Sequence, residues 1–582
     1  MARRRRAAAR PPAYGAGAAL RVPAFRVLLA VQLTNAVAVW MHVVAVQWTL
    51  TERGEPATVV ALAPAAISTP FLLLALPMGV VVGYADRERL LVLATLVSAG
   101  AASGAAVLST LGIDAAPGYL LTVFVVGIAL VVVGVAWQSL LPELVDRSLV
   151  SSATVADGAV YNVARAVGPL LAGAALGLWA AGVGFSLVAL LFVACGATVS
   201  LYRRRHGGHG RDDRERSGGE RRAVLPEIRD ALWFTRHSPW TRQLLGRMVM
   251  FGLPASALWA LVSLVAHDRL GLGSGGFGMV MALLGLGAVA ATAALAPLRA
   301  RTSVQVFAGA GSAAYALTLV AMGTSTSPFL VGAALVLGGV AWVGVQSTWM
   351  MLAHQALPDW VRPRIIALIL FAFQGTQAIG SLVWGVVADL IGLSGALLVA
   401  SALMAASVAV LALYGLSSSD GIEPLLARLD PDRALEPTGR VGGVQVSYTY
   451  EVAVTGHDAF SAAMADLRLS RLRLGATGWE LGRDESNSGR YIEKYHVRGE
   501  SDLLAQETDR LTQPELRLRA AAADASLRVE GPHVLPAPAR SLSRRRRWRA
   551  LRGRRSLERA EIVGTTGRGP EAVGNTESTE EM

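Results

Sequence analysis

The middle of one apolar stretch of this sequence contains a charged side chain. Arg165 lies about a dozen residues inside that stretch, roughly 18 Å along a helix axis at ~1.5 Å per residue, and Asn162 precedes it by less than one turn. A charge at such depth is costly in a membrane, so it normally faces the interior of a helix bundle or a water-filled cavity. Two interpretations remain open. Arg165 binds an anionic group or takes part in ion coupling, or it pairs with a carboxylate or with helix-end carbonyls and locks one conformation.

A second group of polar residues interrupts the first apolar stretch. Gln32, Asn35 and His42 are offset by three and seven positions, so they fall near one face of a helix. That face is expected to line a cavity, where His42 would carry protons near neutral pH. The alternative is a histidine that is hydrogen-bonded between helices. No acidic residue falls clearly inside the first, fourth, seventh or tenth apolar stretch, so a proton-coupled mechanism has no obvious carboxylate carrier.

The polar positions belong to a pattern that the chain makes twice, in the same direction. Gln377, the counterpart of Arg165, is uncharged, so a function that depends on charge at this position involves one copy only. A parallel repeat of apolar bundles is typical of two-halved secondary transporters. The repeated segments are Leu141-Pro142-Glu143-Leu144-Val145 with Leu357-Pro358-Asp359-Trp360-Val361, and Asn162-x-x-Arg165-x-x-Gly168 with Gln374-x-x-Gln377-x-x-Gly380.

A short charged loop follows the second apolar stretch. It contains Gly83, Asp86, Arg87 and Arg89, between the predicted end of one helix and the start of the next. Gly83 lets neighbouring helices approach closely. One interpretation of the loop is a solvated segment whose arginines stay in the cytoplasm, as the positive residues of short loops do.

Glycines and tryptophans of the apolar stretches carry further expectations. Small residues allow close helix packing in bilayers, which is the role expected of Gly168, Gly173, Gly380 and Gly385. Tryptophan is enriched at membrane interfaces, so interface anchoring is expected of Trp137, Trp259, Trp342 and Trp349, with lining of a central cavity as the alternative.

The composition predicts a helical membrane protein with polar appendages. Of the 582 residues, 53% are hydrophobic and 16% are charged, whereas a soluble domain has roughly a quarter charged residues. Charge is almost absent from long stretches between residues 23 and 416, and we count twelve that could each cross a bilayer. Cys195 is the single cysteine, which excludes an internal disulfide and a multi-cysteine metal site. We expect no cofactor and no metal.

Positive charge indicates the orientation. The net charge is +12, with arginines in the N-terminal tail, the central linker and alternate loops, while the other loops carry only Arg53 and Arg269. Because positive residues of short loops stay in the cytoplasm, both termini and the linker are expected there, which requires an even number of spans. The expected surroundings are the lipid bilayer of a bacterial inner (cytoplasmic) membrane. Nucleic-acid binding is the weaker explanation of the charge and is not expected.

The chain is predicted to be an all-α, twelve-helix bundle followed by a small α+β domain. After Ser417 the pattern strand, helix, strand, strand, helix suggests a ferredoxin-like domain, and a homodimer through this domain remains open. The last part of the chain is expected to be disordered. The predicted organisation is a cytoplasmic tail (1–22), a first six-helix half (23–202), a cytoplasmic linker (203–243), a second six-helix half (244–416), a soluble cytoplasmic domain (440–530) and a disordered tail (536–582).

Several longer motifs, in order, resemble one family of transporters. With the twelve spans and the Gly83-x-x-Asp86-Arg87 loop, they resemble the major facilitator superfamily, and within it the bacterial transmembrane secretion effectors, relatives of the enterobactin exporter. The resemblance covers about residues 20 to 530. The motifs are WQSLLPELV (Trp137–Val145), YNVARAVGPLLAG (Tyr161–Gly173), LPDWVR (Leu357–Arg362), FQGTQAIGSLVWGVVAD (Phe373–Asp389) and, in the soluble domain, Arg471-x-Arg473-x-Gly475-Ala476-x-x-Trp479 with Glu493.

The resemblance implies export of a small organic molecule, such as a siderophore or a drug-like compound, by alternating access and with proton antiport. It also implies that Asp86, Arg87 and Arg89 form a gate that bridges the two halves when the cavity faces outward. The chain departs from the family in having fewer basic residues in this loop. It also has Asp502–Glu507 where relatives carry a histidine-containing stretch, which puts in doubt an activity that needs those histidines.

Two alternatives of other classes stay open. The first is a membrane-tethered enzyme, in which a monooxygenase-like C-terminal domain acts on substrate and the bundle is an anchor. The second is a membrane sensor or scaffold that does not transport. The duplicated polar pairs favour transport, because an inert anchor has no reason to carry them at membrane depth.

Overall fold

The structure is a computed structural model that describes residues 17–113, 115–206, 224–415, 442–484, 487 and 489–537. The chain divides into two compact units near residue 427, one helical and one C-terminal. The first part of the predicted N-terminal tail, much of the predicted linker and almost all of the predicted disordered tail lie outside the described residues.

Within the described residues, eleven helices are long and apolar enough to cross a membrane. A further amphipathic helix, α7, lies in the predicted linker. The helices are α1 (Pro23–Glu52), α2 (Ala57–Tyr84), α3 (Arg87–Thr110), α4 (Ala116–Leu144), α5 (Val150–Leu178), α6 (Ala181–His206), α7 (Val224–His237), α8 (Pro239–Leu264), α9 (Ser274–Arg301), α10 (Val304–Thr324), α11 (Pro328–Ala356) and α12 (Arg362–Leu413).

Helix α12 accounts for two crossings. Its 52 residues would extend ~78 Å as one straight helix, more than twice the ~30 Å hydrocarbon core of a bilayer. Gly392 interrupts it with φ 81° and ψ 160°, a conformation that favours glycine. We call the two parts α12a (362–391) and α12b (393–413). The second part packs on α10, where the Ser401 hydroxyl donates to the Ala316 carbonyl at 3.0 Å. The prediction of twelve spans is confirmed.

Side-chain caps define where several helices begin. A cap is favourable because the first N–H groups of a helix have no partner within it. The Asp86 carboxylate accepts from the Arg89 amide at 3.0 Å and starts α3. Ser238, Ser303 and Ser327 do the same for α8, α10 and α11.

The repeated glycines pack the bundle both within and between its halves. A Cβ on Gly168 would lie 2.6 Å from Trp40 Cβ, and Gly380 takes the equivalent place against Ser256 of α8. Further along, a Cβ on Gly173 would lie 2.7 Å from Gly278 Cα of α9, and one on Gly385 would lie 2.8 Å from Thr58 Cα of α2. The close packing expected of these four glycines is therefore observed, and two of the four join one half to the other.

The helices alternate in direction, which gives the bundle two faces. We call the end at which α1 begins the linker face, and the end at which α1 finishes the far face. Helices α5 and α12a begin at the linker face, while α2 and α9 begin at the far face. The inter-half contacts of Gly173 and Gly385 consequently lie toward the far face.

The C-terminal unit is a four-stranded antiparallel sheet with helices in the order β-α-β-β-α-α-β. The strand order β2-β3-β1-β4 is that of a ferredoxin-like domain, as predicted. The sequence pattern did not predict the last strand. The elements are β1 (Val444–Glu451), α13 (His457–Arg473), β2 (Thr477–Arg483), β3 (Arg490–Val497), α14 (Glu500–Glu507), α15 (Gln513–Asp524) and β4 (Arg528–Pro536).

A buried ion pair forms the polar centre of this unit. The Glu493 carboxylate accepts from Trp479 Nε1 at 2.8 Å and from Tyr450 Oη at 3.0 Å, and Arg471 Nε lies 3.4 Å from it. The Arg471 guanidinium stacks 4.9 Å from the ring centroid of Tyr495. Burial, and after it the charge of Glu493, raises the pKa of Tyr450 far above its ordinary value, so the phenol stays a neutral donor. Three residues of the C-terminal motif thus meet in one hydrogen-bonded cluster.

Replacing Glu493 by glutamine is expected to reduce the stability of the C-terminal domain, by at most about 3–5 kcal/mol. The buried Arg471 would keep only Glu507, 3.6 Å away, as its ion-pair partner. Hydrogen exchange of β1 and β3 amides in the full chain measures the change. Glu451→Gln is the matched control, since Glu451 is exposed at the end of β1. Equal protection in the two variants would contradict a stabilising role for the pair.

Candidate functional site

Arg165 lies near the middle of α5, surrounded by aromatic rings. Its side chain is 9% exposed, and its guanidinium carbon lies 5.3 Å from the ring centroid of Tyr161, 5.5 Å from Trp40 and 5.7 Å from Trp259. These distances are typical of cation–π contacts, which contribute about 0.5–2 kcal/mol each. Three helices, α1, α5 and α8, therefore hold one charge among ring faces.

Local sequence explains how the rings reach Arg165. Tyr161 precedes it by four residues, which places both on one side of α5. Gly168 follows by three residues, and its missing side chain lets α1 approach until Trp40 lies against α5. Trp259 comes from α8 in the second half and lies against Trp40 in a tilted arrangement, with the ring centroids 5.6 Å apart. The site therefore lies where the two halves meet.

The rings continue into the second half. The ring centroid of Trp342 of α11 lies 5.5 Å from that of Trp259, 5.4 Å from that of Phe373 of α12a and 6.0 Å from that of Tyr315 of α10. Trp259 and Trp342 thus line the inside of the bundle, as in the alternative interpretation, and the expected interface anchoring is wrong for these two. We call the following set the aromatic cluster: Trp40, Tyr161, Phe251, Trp259, Tyr315, Trp342 and Phe373.

Several buried hydrogen-bond donors at and around Arg165 have no acceptor in the part of the chain that the structure describes. Among the described residues, Arg165 Nε, Trp259 Nε1 and Trp342 Nε1 are buried donors without a hydrogen-bond partner. No carboxylate of the described residues forms an ion pair with Arg165. Buried donors normally have acceptors, and a guanidinium has five donors and no acceptor of its own. The arrangement therefore fits an acceptor-rich, anionic group that has apolar or aromatic surface beside it.

The other predicted cavity residues differ in their surroundings. Gln377 of α12a is 8% exposed, and its Nε2 is a further buried donor without a partner among the described residues. The Asn162 amide donates to the Gly158 carbonyl of its own helix at 3.2 Å. Gln32 and Gln374 are half-buried, and Asn35 is buried. Arg165 and Gln377, the repeat counterparts, are thus both buried.

His42 is packed inside the first half. Its Nε2 lies 3.1 Å from the Thr122 hydroxyl of α4, and its ring edge meets Phe185 of α6 at 5.8 Å. The side chain is fully buried. This geometry is that of the alternative interpretation, a histidine hydrogen-bonded between helices.

Neutral contacts join the halves at the far face. Gln47 Nε2 donates to the Trp259 carbonyl at 2.9 Å, and the Thr51 hydroxyl donates to Ser263 Oγ at 2.8 Å. Trp48 stacks on Phe277 of α9 at 5.3 Å. The ends of α1 and α8 are therefore held together beyond the aromatic cluster.

One carboxylate completes the far-face contacts. Asp389, near the end of α12a, accepts from the amides of Ala57 and Thr58 at 2.8 and 2.9 Å. These amides are the first of α2, so a residue of the second half caps a helix of the first. Gln47 and Asp389 were not predicted as functional residues, because their partners are distant in sequence.

The charged loop at the linker face is paired within the first half. Asp86 lies 2.8 Å from Arg203 of α6 and 3.3 Å from Arg89, and Arg87 pairs with Glu143 of α4. Gly83 lies in the last turn of α2. Among the described residues, no hydrogen bond or ion pair of Asp86, Arg87 or Arg89 reaches the second half. The halves are therefore joined at the far face, and this loop does not join them at the linker face.

An acidic residue inside α5 was not among the predicted site residues, because that prediction concerned only the first, fourth, seventh and tenth spans. Asp157 lies two turns before Arg165. Its carboxylate accepts from Trp137 Nε1 at 2.8 Å and from Gln138 Nε2 at 3.1 Å, both on α4. An aspartate inside an apolar span was the available signal.

Comparison with known proteins identifies the family. The profile of the transmembrane secretion effector family matches residues 14–535. The chain belongs to this family of the major facilitator superfamily. Its members are secondary transporters rather than enzymes, so the coarse function of the chain is transport across a membrane by a multi-pass protein. A comparison with curated proteins gives no match.

Solved structures of the superfamily share the fold at low identity. A point mutant of the nucleoside transporter NupG superposes with a TM-score of 0.56 at 10% identity, over 67% of this chain and 100% of that one. A bacterial homologue of the human lysosomal transporter Spinster, inward-facing and unoccupied, gives 0.52 at 12%, over 68% and 95%. A POT family transporter in complex with a thioalcohol-conjugated peptide gives 0.53 at 12%, over 67% and 95%. These likenesses establish the fold.

Proposed function

We propose that this transporter exports an amphipathic organic anion across the inner membrane of a bacterium. The observation that carries the proposal is Arg165, a buried guanidinium among three rings that has no carboxylate partner among the described residues. The acid group of the substrate binds Arg165, and its apolar or aromatic part lies on the aromatic cluster. Gln377 supplies a hydrogen bond from the second half. A siderophore or a drug-like acid belongs to this class of compound.

The direction of transport follows from charge and from the closed face. Arginines collect at the linker face, which the positive-inside rule places in the cytoplasm together with both termini. Because the far face is closed, the substrate enters from the linker face. The inside-negative membrane potential moves an anion outward, with about 2.3 kcal/mol per charge and 100 mV. Export is therefore the favourable direction.

Alternating access requires the contacts of the two faces to exchange. When the far face opens, the hydrogen bonds of Gln47, Thr51 and Asp389 break. When the linker face closes, the loop with Gly83, Asp86, Arg87 and Arg89 changes partners and reaches the second half as a gate. Arg165 and Gln377 lie between these faces and contact the substrate in both states.

The test of this function compares small molecules inside and outside cells. The strains lack the gene, carry it intact or carry Arg165→Gln, and the acidic fraction of each extract is analysed by mass spectrometry. We expect an organic anion to accumulate inside the first and third strains and to appear in the medium of the second. Accumulation of a cation or a neutral compound instead would contradict the proposed substrate class.

We propose that the coupling ion is a proton and that Asp157 carries it. The support is its position inside α5, two turns before Arg165, and its hydrogen bonds to two donors from α4. A proton bound there weakens both hydrogen bonds, and this changes the contact between α4 and α5. Inward proton movement and outward anion movement transfer charge in the same electrical direction, so the potential drives both.

Asp157→Asn is expected to uncouple transport from protons. Asparagine keeps the size of the side chain but cannot take up a proton, so proton movement driven by the substrate should disappear while exchange of labelled for unlabelled substrate stays within about threefold. Proteoliposomes with an internal pH dye report the first quantity and radiolabel counting the second. Asp146→Asn, in the exposed loop before α5, is the matched control. Proton movement that persists in the Asp157 variant excludes this carrier and leaves the anion proposal intact.

A further inference from the structure

A groove opens at the linker face between the start of α3 and the end of α6. Its volume is about 440 Å³, and it is lined by Arg89, Val92, Leu93, Leu96, Ser200, Arg203 and Arg204. It lies within the first half, outside the aromatic cluster. Its lining divides into a charged part and an apolar part.

The charged part lies at the ends of the two helices. Arg89 is in the first turn of α3, and its side chain is 71% exposed. Arg203 is held by Asp86 at 2.8 Å and lies 3.8 Å from Glu88. Arg204 is exposed in the last turn of α6. The mouth of the groove therefore has three guanidinium groups, and the two carboxylates Asp86 and Glu88 pair with Arg89 and Arg203. This leaves a positive excess.

The apolar part lies deeper in the membrane. Leu93 is one turn and Leu96 almost two turns further along α3 than Arg89, and they are 60% and 48% exposed. Exposed leucines on a spanning helix are in contact with lipid tails. Charge at the helix ends and leucine below it match, in order, the headgroup and the acyl chain of a lipid.

We propose that this groove binds one anionic phospholipid. The phosphate lies between Arg89 and Arg204, whose planar guanidinium groups suit phosphate oxygens, and an acyl chain lies along Leu93 and Leu96. Basic pockets between helices on the cytoplasmic side recognise such headgroups. A free phosphate ion would use the arginines and not the leucines, so the exposed apolar floor of the groove favours the lipid. The site does not depend on which substrate is transported.

The test counts lipids bound to the purified full-length protein by native mass spectrometry. Phosphatidylglycerol is titrated against phosphatidylcholine of the same chain length. The variant Arg89→Gln/Arg204→Gln is compared with Arg26→Gln/Arg205→Gln, which removes two exposed arginines outside the groove. We expect the first double variant to lower the affinity for phosphatidylglycerol about 10- to 30-fold, from ~1 kcal/mol per arginine, and the second to change it less than twofold. Equal losses of affinity in the two double variants would overturn the proposed lipid site.

A second pair of measurements separates lipid from phosphate. The variant Leu93→Ser/Leu96→Ser should lower the affinity for phosphatidylglycerol about fivefold or more. Inorganic phosphate at millimolar concentration should not displace the lipid. Displacement by phosphate, together with unchanged lipid binding in the serine variant, would identify a phosphate site and overturn the lipid proposal. If the double arginine variant does not fold, the affinity of the single variant Arg204→Gln for phosphatidylglycerol is compared with that of Arg205→Gln as its control, and equal affinities would overturn the proposal. Transport assays do not enter the test, so its outcome is independent of the proposed substrate.

Discussion

Replacing Arg165 by glutamine is expected to lower the rate of anion export by about 100-fold or more. The substitution removes the charge that binds the acid group, and a hydrogen bond to a charged group contributes about 1.5–3 kcal/mol. Loss of one partner of a buried pair costs more, about 3–5 kcal/mol, because the remaining anion is desolvated without compensation. The measurement is export of the identified anion from proteoliposomes that contain equal amounts of purified protein.

Two companion variants separate charge from shape. Arg165→Lys keeps the charge, but a compact ammonium cannot stack on three rings or bind a carboxylate in bidentate geometry, so a loss of about tenfold is expected. Asn162→Ala is the control, because the Asn162 amide bonds only to the Gly158 carbonyl of its own helix among the described residues, and it should stay within twofold. Normal export by the glutamine variant would show that Arg165 holds the helices together and does not bind the substrate.

Replacing Gly173 by valine is expected to reduce the rate of transport by about 100-fold, because the valine hinders closure of the far face. A Cβ at this position would lie 2.5 Å from the Ser274 carbonyl oxygen and 2.7 Å from Gly278 Cα. Both are backbone atoms, so α5 and α9 must move apart. Overpacking of this kind costs about 1–3 kcal/mol. Because the cost applies only while the far face is closed, the variant should remain folded and populate the state that is open on that side.

Accessibility to a thiol reagent measures this shift. In a Cys195→Ala background, Gln377→Cys places a thiol inside the bundle, and a membrane-impermeant maleimide is added from outside the cell. We expect faster labelling when Gly173→Val is present and no change with Gly158→Val, since a Cβ on Gly158 of the same helix meets nothing within 4 Å. Unchanged labelling with full transport activity would show that the halves do not close at Gly173.

Hydropathy was sufficient to predict the helices of the helical unit, because each span in a membrane must form the hydrogen bonds of its backbone within itself. The repeat then located Arg165, and the glycines of the repeat located the packing of the helices. For Trp259 and Trp342, lining of a cavity was only the alternative prediction, because tryptophan is enriched at membrane interfaces. The contacts that join the halves at the far face could not be predicted, because they form between distant parts of the chain, as the hydrogen bond from Thr58 to Asp389 shows.

The last strand of the C-terminal domain illustrates a different limit. Residues 528–536 contain a glycine and two prolines, and most of their side chains are exposed. A strand at the edge of a sheet needs no alternation of apolar residues, so periodicity gave no signal. The pairing of β4 with β1 comes from the tertiary fold.

The cap that Asp389 places on α2 gives the transporter a resting preference. Whenever the far face opens, the amides of Ala57 and Thr58 lose the carboxylate that accepts from them and must be hydrated instead. The loss of a helix cap costs about 1 kcal/mol, which corresponds to a roughly fivefold change in an equilibrium constant. In the proposed transport cycle, this contact favours the state that is open at the linker face, and the energy of binding the proposed anion offsets the preference.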